Sequence, residues 1–337
     1  MQVFRLSYNN DDSDVPFHFE SFDLNNQKGL RHTLQKKSKC VLTLGSYDGV
    51  HLGHREIIEE VIREAREKSL KSVLITFDPH PRLVLAPESR PKILTTLSEK
   101  LAHFESLGLD EIVVIRFTRE FSRMRADEFV RKVLIDELQI AGVVIGYDHG
   151  FGKDRMGTIE TLKKLSLEHG FFVSMVEEQN LDGEHVSSSS IRKALESGDL
   201  RIANRMLKSP YCLSGLVIEG NKLGRRIGFP TANLSLLPEK LIPKTGVYFA
   251  ETTVLGKKYA AAMNIGFRPS VTSVSELRVE AHMIGYEGDL YGKELSFNLL
   301  ERIRDEQKFP TIDALKDQIQ KDIKAILEYS DEYHIIQ

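Results

Sequence analysis

Residues 41–54 read Val-Leu-Thr-Leu-Gly-Ser-Tyr-Asp-Gly-Val-His-Leu-Gly-His. Val41, Leu42 and Leu44 make a short apolar strand that ends at Gly45 and turns through Asp48 and Gly49. Beyond the turn, Ile57, Ile58, Val61, Ile62 and Ala65 recur at helical spacing, so a helix begins near His51 and buries one stripe. His51 and His54 lie three apart and share one face of its first turn. Unpaired N–H groups and the positive end of the helix dipole meet there, so two imidazoles with glycine nearby make an anion site. A nucleoside triphosphate is the anion that suits it. Two plainer readings stand beside this one. A His-x-x-His pair can ligate metal, although no partner cluster completes a ligand set, and a capping turn can carry histidines incidentally.

Working outward, the strand–helix step repeats. Strand-like runs fall at Cys40–Leu44, Ser72–Phe77, Ile112–Phe117, Val143–Gly146 and Phe171–Val176. Helical patterns fall between them at Arg55–Glu67, Thr96–Leu107, Ala126–Leu138 and Thr158–Glu168. Unbroken apolar strands alternating with amphipathic helices predict an α/β, doubly wound parallel sheet covered on both faces. Residues 1–38 are weakly patterned, with one short strand expected around Val3–Leu6. Ligands of such sheets bind beyond the carboxyl ends of the strands. The loops at Gly45–His54, Asp78–Pro81 and Tyr147–His149 all follow strands and so fall on that rim.

After Arg201 the rhythm changes. Leu213–Glu219, Val247–Thr253, Lys258–Ile265, Leu277–Ile284 and Lys293–Leu299 read as strands joined by turns without helices, which predicts an antiparallel sheet or small barrel. A closing helix is expected over Thr311–Glu328, with Ile312, Leu315, Ile319, Ile323, Ile326 and Leu327 on one side. The division is a first domain over residues 1–187, a connecting helical segment over 188–210 and a second domain over 211–337. A chain of 337 residues accommodates two such cores.

The composition excludes several classes. A net charge of −3 and a pI near 6.4 give no footprint for nucleic acid or anionic membrane. The first fourteen residues are polar and acidic, without the apolar stretch of a secretory signal, and no run reaches membrane-spanning length. Cys40 and Cys212 offer neither a metal spacing nor a disulfide framework. A cytoplasmic protein, monomeric or weakly self-associating, is expected.

Further motifs carry a resemblance. Residues 146–157, Gly-Tyr-Asp-His-Gly-Phe-Gly-Lys-Asp-Arg-Met-Gly, form a glycine-rich loop off the fourth strand. Residues 186–192, Val-Ser-Ser-Ser-Ser-Ile-Arg, gather hydroxyls at a helix start ahead of Arg192, which suits a cap and also a phosphate cradle. With Gly45–His54, these segments resemble, in order and spacing, the nucleotidylyltransferase half of the bacterial bifunctional riboflavin kinase/FAD synthetases. The resemblance implies that Gly45, Tyr47, Asp48, Gly53, Ser188 and Ser189 hold ATP, and that His51, His54 and Arg192 stabilise charge as FMN attacks the α-phosphorus and pyrophosphate leaves. It further implies that Asp148, Phe151 and Arg155 contact the flavin. His149 stands where that family usually has Phe, and Ser189 where it has Thr.

Residues 220–233 read Gly-Asn-Lys-Leu-Gly-Arg-Arg-Ile-Gly-Phe-Pro-Thr-Ala-Asn. Gly220, Gly224 and Gly228 let the backbone approach phosphates closely. Thr231 and Asn233 are two apart, so in an extended strand they point to one side and offer hard oxygens that suit Mg²⁺. The same Pro-Thr-Ala-Asn also reads as a turn. Leu277, Val279, Ala281 and Met283 alternate inward and leave Arg278, Glu280 and His282 on the other face, where a glutamate is ordinarily only solvated. The fourteen-residue stretch resembles the riboflavin kinase signature. Asn264-Ile-Gly-Phe-Arg-Pro-Ser270, Asp289-Leu-Tyr-Gly292 and Arg302-Ile-Arg304-Asp-Glu-Gln-Lys-Phe309 resemble further segments of that family. The resemblance implies a β-barrel kinase domain with Glu280 as general base, Gly220, Lys222, Gly224 and Gly228 on ATP, Mg²⁺ on Thr231 and Asn233, and Arg304 and Phe309 on the flavin. It implies one enzyme that phosphorylates riboflavin and then adenylylates FMN, with ATP as co-substrate in both steps. A transferase of the first kind alone leaves residues 220–309 unexplained. A non-catalytic flavin-binding protein is the rival from another class.

Overall fold

Apolar runs that fill every position of a strand must be covered from both sides, and in the first unit they are. A computed structural model describes residues 1–8, 17–21, 39–89, 91–220, 223–268 and 276–332. Contacts divide the chain into two units, Met1–Val186 and Ser187–Gln337. The first contains, in chain order, β1 (Gln2–Tyr8), β2 (Phe17–Ser21), β3 (Cys40–Leu44), α1 (Leu52–Glu67), β4 (Lys71–Asp78), α2 (Pro81–Leu85), α3 (Leu97–Leu107), β5 (Glu111–Arg116), α4 (Ala126–Phe129), β6 (Ile140–Gly146), α5 (Ile159–His169), β7 (Phe172–Val176) and the small hairpin β8 (Asn180–Leu181) and β9 (Glu184–His185).

The seven strands β2-β1-β5-β4-β3-β6-β7 form one sheet, parallel except for β2, which pairs antiparallel to β1 at the edge. Successive residues of each strand serve opposite faces. Leu42, Val73, Ile75 and Val113 join a core with Phe129, Val133, Leu134 and Leu162. Their neighbours Val41, Leu74, Ile112 and Val114 join a second core with Ile58, Val61, Leu101 and Phe104. Thus α1 and α3 cover one face, and α4 and α5 the other, as a doubly wound sheet requires. Because β3, β4 and β6 are parallel neighbours, the loops at Gly45–His54, Asp78–Pro81 and Tyr147–His149 emerge at the same edge. The helix expected over 126–138 is α-helical only as far as Phe129 and is π-wound over Val130–Glu137. β2 had no clear signal in the sequence.

The second unit contains α6 (Ser188–Ser197), α7 (Leu200–Leu207), β10 (Tyr211–Ile218), α8 (Leu223–Arg226), β11 (Ala232–Ser235), β12 (Gly246–Val254), β13 (Lys257–Arg268), β14 (Glu276–Met283), β15 (Glu294–Arg304) and α9 (Ile312–Glu332). Its strands close an antiparallel barrel in the order β10-β11-β14-β13-β12-β15. On β13 and β14 the odd-numbered residues Ala261, Met263, Ile265, Val279, Ala281 and Met283 are buried, which matches the alternation in the sequence. α9 covers part of the barrel through Ile326, which is buried with Phe249, Ala260 and Leu300, whereas Ile312 and Leu327 are exposed. The apolar side expected of this helix is therefore used only in part.

α6 and α7, expected as a connecting segment, pack as part of the barrel unit. Asn204 on α7 donates to the Leu299 carbonyl at 2.9 Å and accepts from the Tyr211 N–H at 2.8 Å. Arg201 grips Glu301, and the Lys244 N–H donates to the Leu195 carbonyl. The helix that carries Ser188, Ser189 and Arg192 is thus an element of the second unit.

Candidate active sites

In the first unit, the loop after β3 reaches α1 through strained backbone: Tyr47 and Val50 hold φ of 48° and 44°, and Gly49 holds 96°. Fixed bonds hold that shape. Asp48 is 1% exposed, and its Oδ1 accepts from the Leu94 and Thr95 N–H groups at 2.8 and 3.1 Å. The Gly49 N–H donates to the Thr95 hydroxyl at 3.0 Å. Tyr47 is buried, shares a hydrogen bond of 2.6 Å with the Thr43 hydroxyl, and sets its ring edge-on to His54 and Phe104. The resemblance implies ATP contacts for Tyr47 and Asp48. Both are buried here and brace the loop through the bonds of the Tyr47 hydroxyl and Asp48 Oδ1.

His51 precedes the first turn of α1 and makes no capping bond. Its ring stacks on that of His54 with centroids 3.6 Å apart and planes 19° from parallel. The Nδ1 atoms of both are buried without a hydrogen-bond partner, which is the state of a site built to meet something else. Burial pushes the His51 pKa down to about 4, against the raising influence of Asp48, and pushes His54 well below its ordinary range, with His51 and Lys100 adding to the effect. Two neutral imidazoles, and not a cationic pair, therefore face this loop at pH 7. Among the described residues no group of three or more His, Cys, Asp and Glu is placed to hold a metal ion. Gly53 lies beside the His51 ring, close enough that a Cβ there would touch it at 3.6 Å.

The glycine-rich loop folds back on itself, with Phe151 and Gly157 bridging. Gly152 has φ 69° and backs onto Ala126 so closely that a Cβ would meet its backbone at 2.8 Å. Phe151, expected on the flavin, is 7% exposed and belongs to the core with Phe129, so it anchors the loop. His149 stacks on Phe151 at 5.8 Å, its Nε2 buried without a partner and its pKa pushed down to about 4 by burial. Asp148 and Arg155 remain exposed, joined by Arg155 Nη2 donating to the Asp148 carbonyl at 3.2 Å.

In the second unit, Asn233 on β11 is paired with Glu280 on β14, and Glu280 in turn with Asn264 on β13. Paired residues share a face, here the one opposite the buried row. The Thr231 hydroxyl donates to Glu280 Oε2 at 3.4 Å, and His282 bonds the Pro230 carbonyl through Nδ1 at 2.8 Å. Thr231, Asn233 and Glu280 thus meet. A Cβ on Gly220 would lie 2.3 Å from the Asn233 amide, so only glycine lets this turn close on it. Gly224 likewise backs onto the Phe229 carbonyl, and Gly228 turns at φ 93°. Lys222 and Ser270 lie outside the described residues. A pocket beside Thr231 is lined by Arg225, Pro230, Met283, Tyr286, Asp289 and Tyr291.

The segment after β15 meets β13 where Glu306 packs on Gly266 and accepts from the Phe267 N–H at 3.4 Å. Arg304, expected on the flavin, grips the buried Asp322 of α9 with three N–H···O bonds of 2.9, 3.1 and 2.7 Å, and its guanidinium lies over the half-buried Phe309. It holds the segment to the helix.

Comparison with known proteins decides the family. The FAD synthetase family profile matches residues 33–190 and the riboflavin kinase profile residues 207–330. The bifunctional riboflavin kinase/FMN adenylyltransferase of Escherichia coli K12 is 37% identical over 304 residues, covering 90% of this chain and 96% of that protein. The chain belongs to the bifunctional riboflavin kinase/FMN adenylyltransferase family. It is a riboflavin kinase and an FMN adenylyltransferase in one polypeptide. The Bacillus subtilis 168 protein of the same name is 36% identical, covering 88% of this chain and 94% of its own length. A crystal structure from Streptococcus pneumoniae, named as a macrolide-efflux protein, superposes with a TM-score of 0.77 at 31% identity, over 87% of this chain and 95% of that one. Among the described residues here, no helix is long and apolar enough to cross a membrane.

The neutral histidines give the adenylyltransferase unit of this enzyme an acid weakness. His51 and His149 fold with pKa values near 4, whereas an unfolded histidine titrates near 6.5. The unfolded chain therefore binds protons that the folded one excludes, and stability is full above about pH 6.5 and falls as the pH drops toward 4. At pH 5 each of the two removes about 2 kcal/mol. His54, lowered further still, adds a loss of the same order, so calorimetry at pH 7 and pH 5 is expected to move the unfolding transition of this unit down by roughly 15 °C, and His149→Phe to recover about a third of that shift. A transition that stays in place over this range contradicts the neutral assignment.

Proposed function

We propose that the two activities use the two constellations just described, one in each unit, with ATP as the second substrate of both. The observation that supports the kinase assignment is the meeting of Thr231, Asn233 and Glu280 on one face of the barrel. Their donors are oxygen only, which fits Mg²⁺ better than a softer ion. Thr231 and Asn233 would hold the metal, which when bound offsets charge on the phosphates of ATP. Glu280 takes the proton of the ribityl hydroxyl as that oxygen attacks the γ-phosphorus. Gly220, Gly224 and Gly228 bring backbone N–H groups toward the phosphates, and the pocket beside Thr231 receives the nucleotide.

For adenylyl transfer, the phosphate of FMN attacks the α-phosphorus of ATP and pyrophosphate departs. The nucleophile is already an anion, so no general base is required, and the protein's task is positioning and charge stabilisation. The N–H groups at the start of α1 and the His51 and His54 imidazoles serve it. Asp148 and Arg155 are assigned to the flavin. The pattern of composition and charge supports a soluble, cytoplasmic enzyme, monomeric or weakly self-associating.

The metal assignment is tested by Asn233→Ala. Loss of one oxygen ligand is expected to raise the Mg²⁺ concentration that half-saturates riboflavin phosphorylation, with activity recovering in part as Mg²⁺ is increased. Adenylylation of supplied FMN is expected to stay at the wild-type rate. An unchanged Mg²⁺ dependence removes Asn233 from the metal site.

A further inference from the structure

Lys100 on α3 is 3% exposed, which is rare for a lysine. Its ammonium donates to the Ser46 carbonyl at 3.1 Å, inside the loop between β3 and α1. Burial lowers its pKa, and the charges of Asp48 and Asp78 oppose that only in part. A charge kept out of water with a carbonyl as its acceptor destabilises the fold. A methionine would fill the same volume without that penalty. Structure alone therefore gives no reason for the charge.

Its position gives one. The segment that leads into α3 is latched to the loop at three further points: the Leu94 and Thr95 N–H groups on Asp48, and the Thr95 hydroxyl under the Gly49 N–H. Thr96 then starts α3 with a capping box to Glu99, which fixes the helix one residue before Lys100. The loop is thus held from beneath by one rigid element, and Lys100 is the point at which that element brings positive charge to it. The two histidines above it are neutral, so they add no net charge to meet an anion.

We propose that Lys100 is the charge-bearing positioning residue of adenylyl transfer, holding the Ser46 carbonyl and supplying the fixed positive field in which the phosphates of ATP are bound. This rests on the reading that Gly45–His54 receives ATP. The fold tolerates the buried ammonium because the ligand requires it, in the way that functional sites elsewhere retain locally destabilising groups.

The test uses the full chain with Lys100→Met and Lys100→Gln, beside His51→Ala. Lys100→Met keeps the stem and removes the charge, while Lys100→Gln removes the charge and keeps a donor for Ser46. For both, riboflavin phosphorylation is expected to be unchanged and the first unit to melt no lower than wild type. The KM for ATP in adenylylation is expected to rise by about 10-fold or more, the low end of what a charged cleft contributes to ligand capture, with a smaller change in kcat. Wild-type KM for ATP in Lys100→Gln overturns the field and leaves only a hydrogen bond. Wild-type adenylylation in both, or a first unit that melts lower in both with KM unchanged, overturns the proposal outright. Normal adenylylation in His51→Ala instead removes the reading of the loop on which it rests.

Discussion

Glu280→Gln slows riboflavin phosphorylation by roughly 10²- to 10⁴-fold, the range of a lost general base, with little change in the KM for riboflavin. The amide is the same shape as the carboxylate, and it can still accept the Thr231 hydroxyl that reaches Oε2 at 3.4 Å. Glu280 is anchored between Asn233 and Asn264 in the strand register, so the backbone at this position is set by the barrel and not by the charge. What the variant lacks is a group to take the hydroxyl proton in the transition state, and such a loss lowers kcat and kcat/KM together. Raising Mg²⁺ does not restore it, in contrast to Asn233→Ala. Steady-state kinetics across a Mg²⁺ series separates the two, and rescue of Glu280→Gln with none for Asn233→Ala means that the roles are exchanged.

His51→Ala is expected to slow FAD formation from supplied FMN by roughly 10²-fold or more, the scale of losing one preorganised donor to a developing charge, while FMN formation from riboflavin continues. Two effects act together. The variant removes one imidazole from the start of α1, and it also strips His54 of the ring stacked on it at 3.6 Å. Because the wild-type pair is neutral, wild-type adenylylation is also expected to hold as the pH rises from about 6 to 8.5. A decline across that range with a midpoint near the ordinary histidine value shows that an imidazolium is required. Near wild-type FAD formation in His51→Ala removes this residue from the mechanism.

The parts legible in the sequence are those that depend on spacing along one element. Leu277, Val279, Ala281 and Met283 alternate, so the face carrying Glu280 was plain from the period alone. His51 and His54 are three apart on a helix, so their common face was equally plain. The environment that those side chains meet was not. That the histidines lose their charge depends on burial by neighbours distant in sequence and on the nearby charge of Lys100, whose role has no signature at all. Tyr47 and Asp48 sit in a motif whose resemblance implies ATP contact, and the partners that hold them, Thr43 and the amides of Leu94 and Thr95, come from two separate stretches of the chain. Arg304 shows the same limit, because Asp322 lies on a helix whose docking to the barrel decides which side chains meet. The serine cluster read correctly as a helix start, with Ser187 and Ser190 forming a capping box. Its membership of the second unit follows from the bonds of the next helix, through Asn204, which no local pattern announces.

Riboflavin phosphorylation and FMN adenylylation are expected to depend on different residues of one chain, Glu280 for the first and His51 for the second. The most direct test is the yield of FAD from riboflavin, ATP and Mg²⁺ in an equimolar mixture of the Glu280→Gln and His51→Ala proteins, with the flavins separated by chromatography. Alone, the His51 variant is expected to stop at FMN and the Glu280 variant to leave riboflavin almost untouched. Together they are expected to produce FAD, the first supplying FMN and the second consuming it. A mixture that accumulates FMN without FAD means that Glu280→Gln has also damaged adenylyl transfer, and the assignment of separate residues to the two reactions fails.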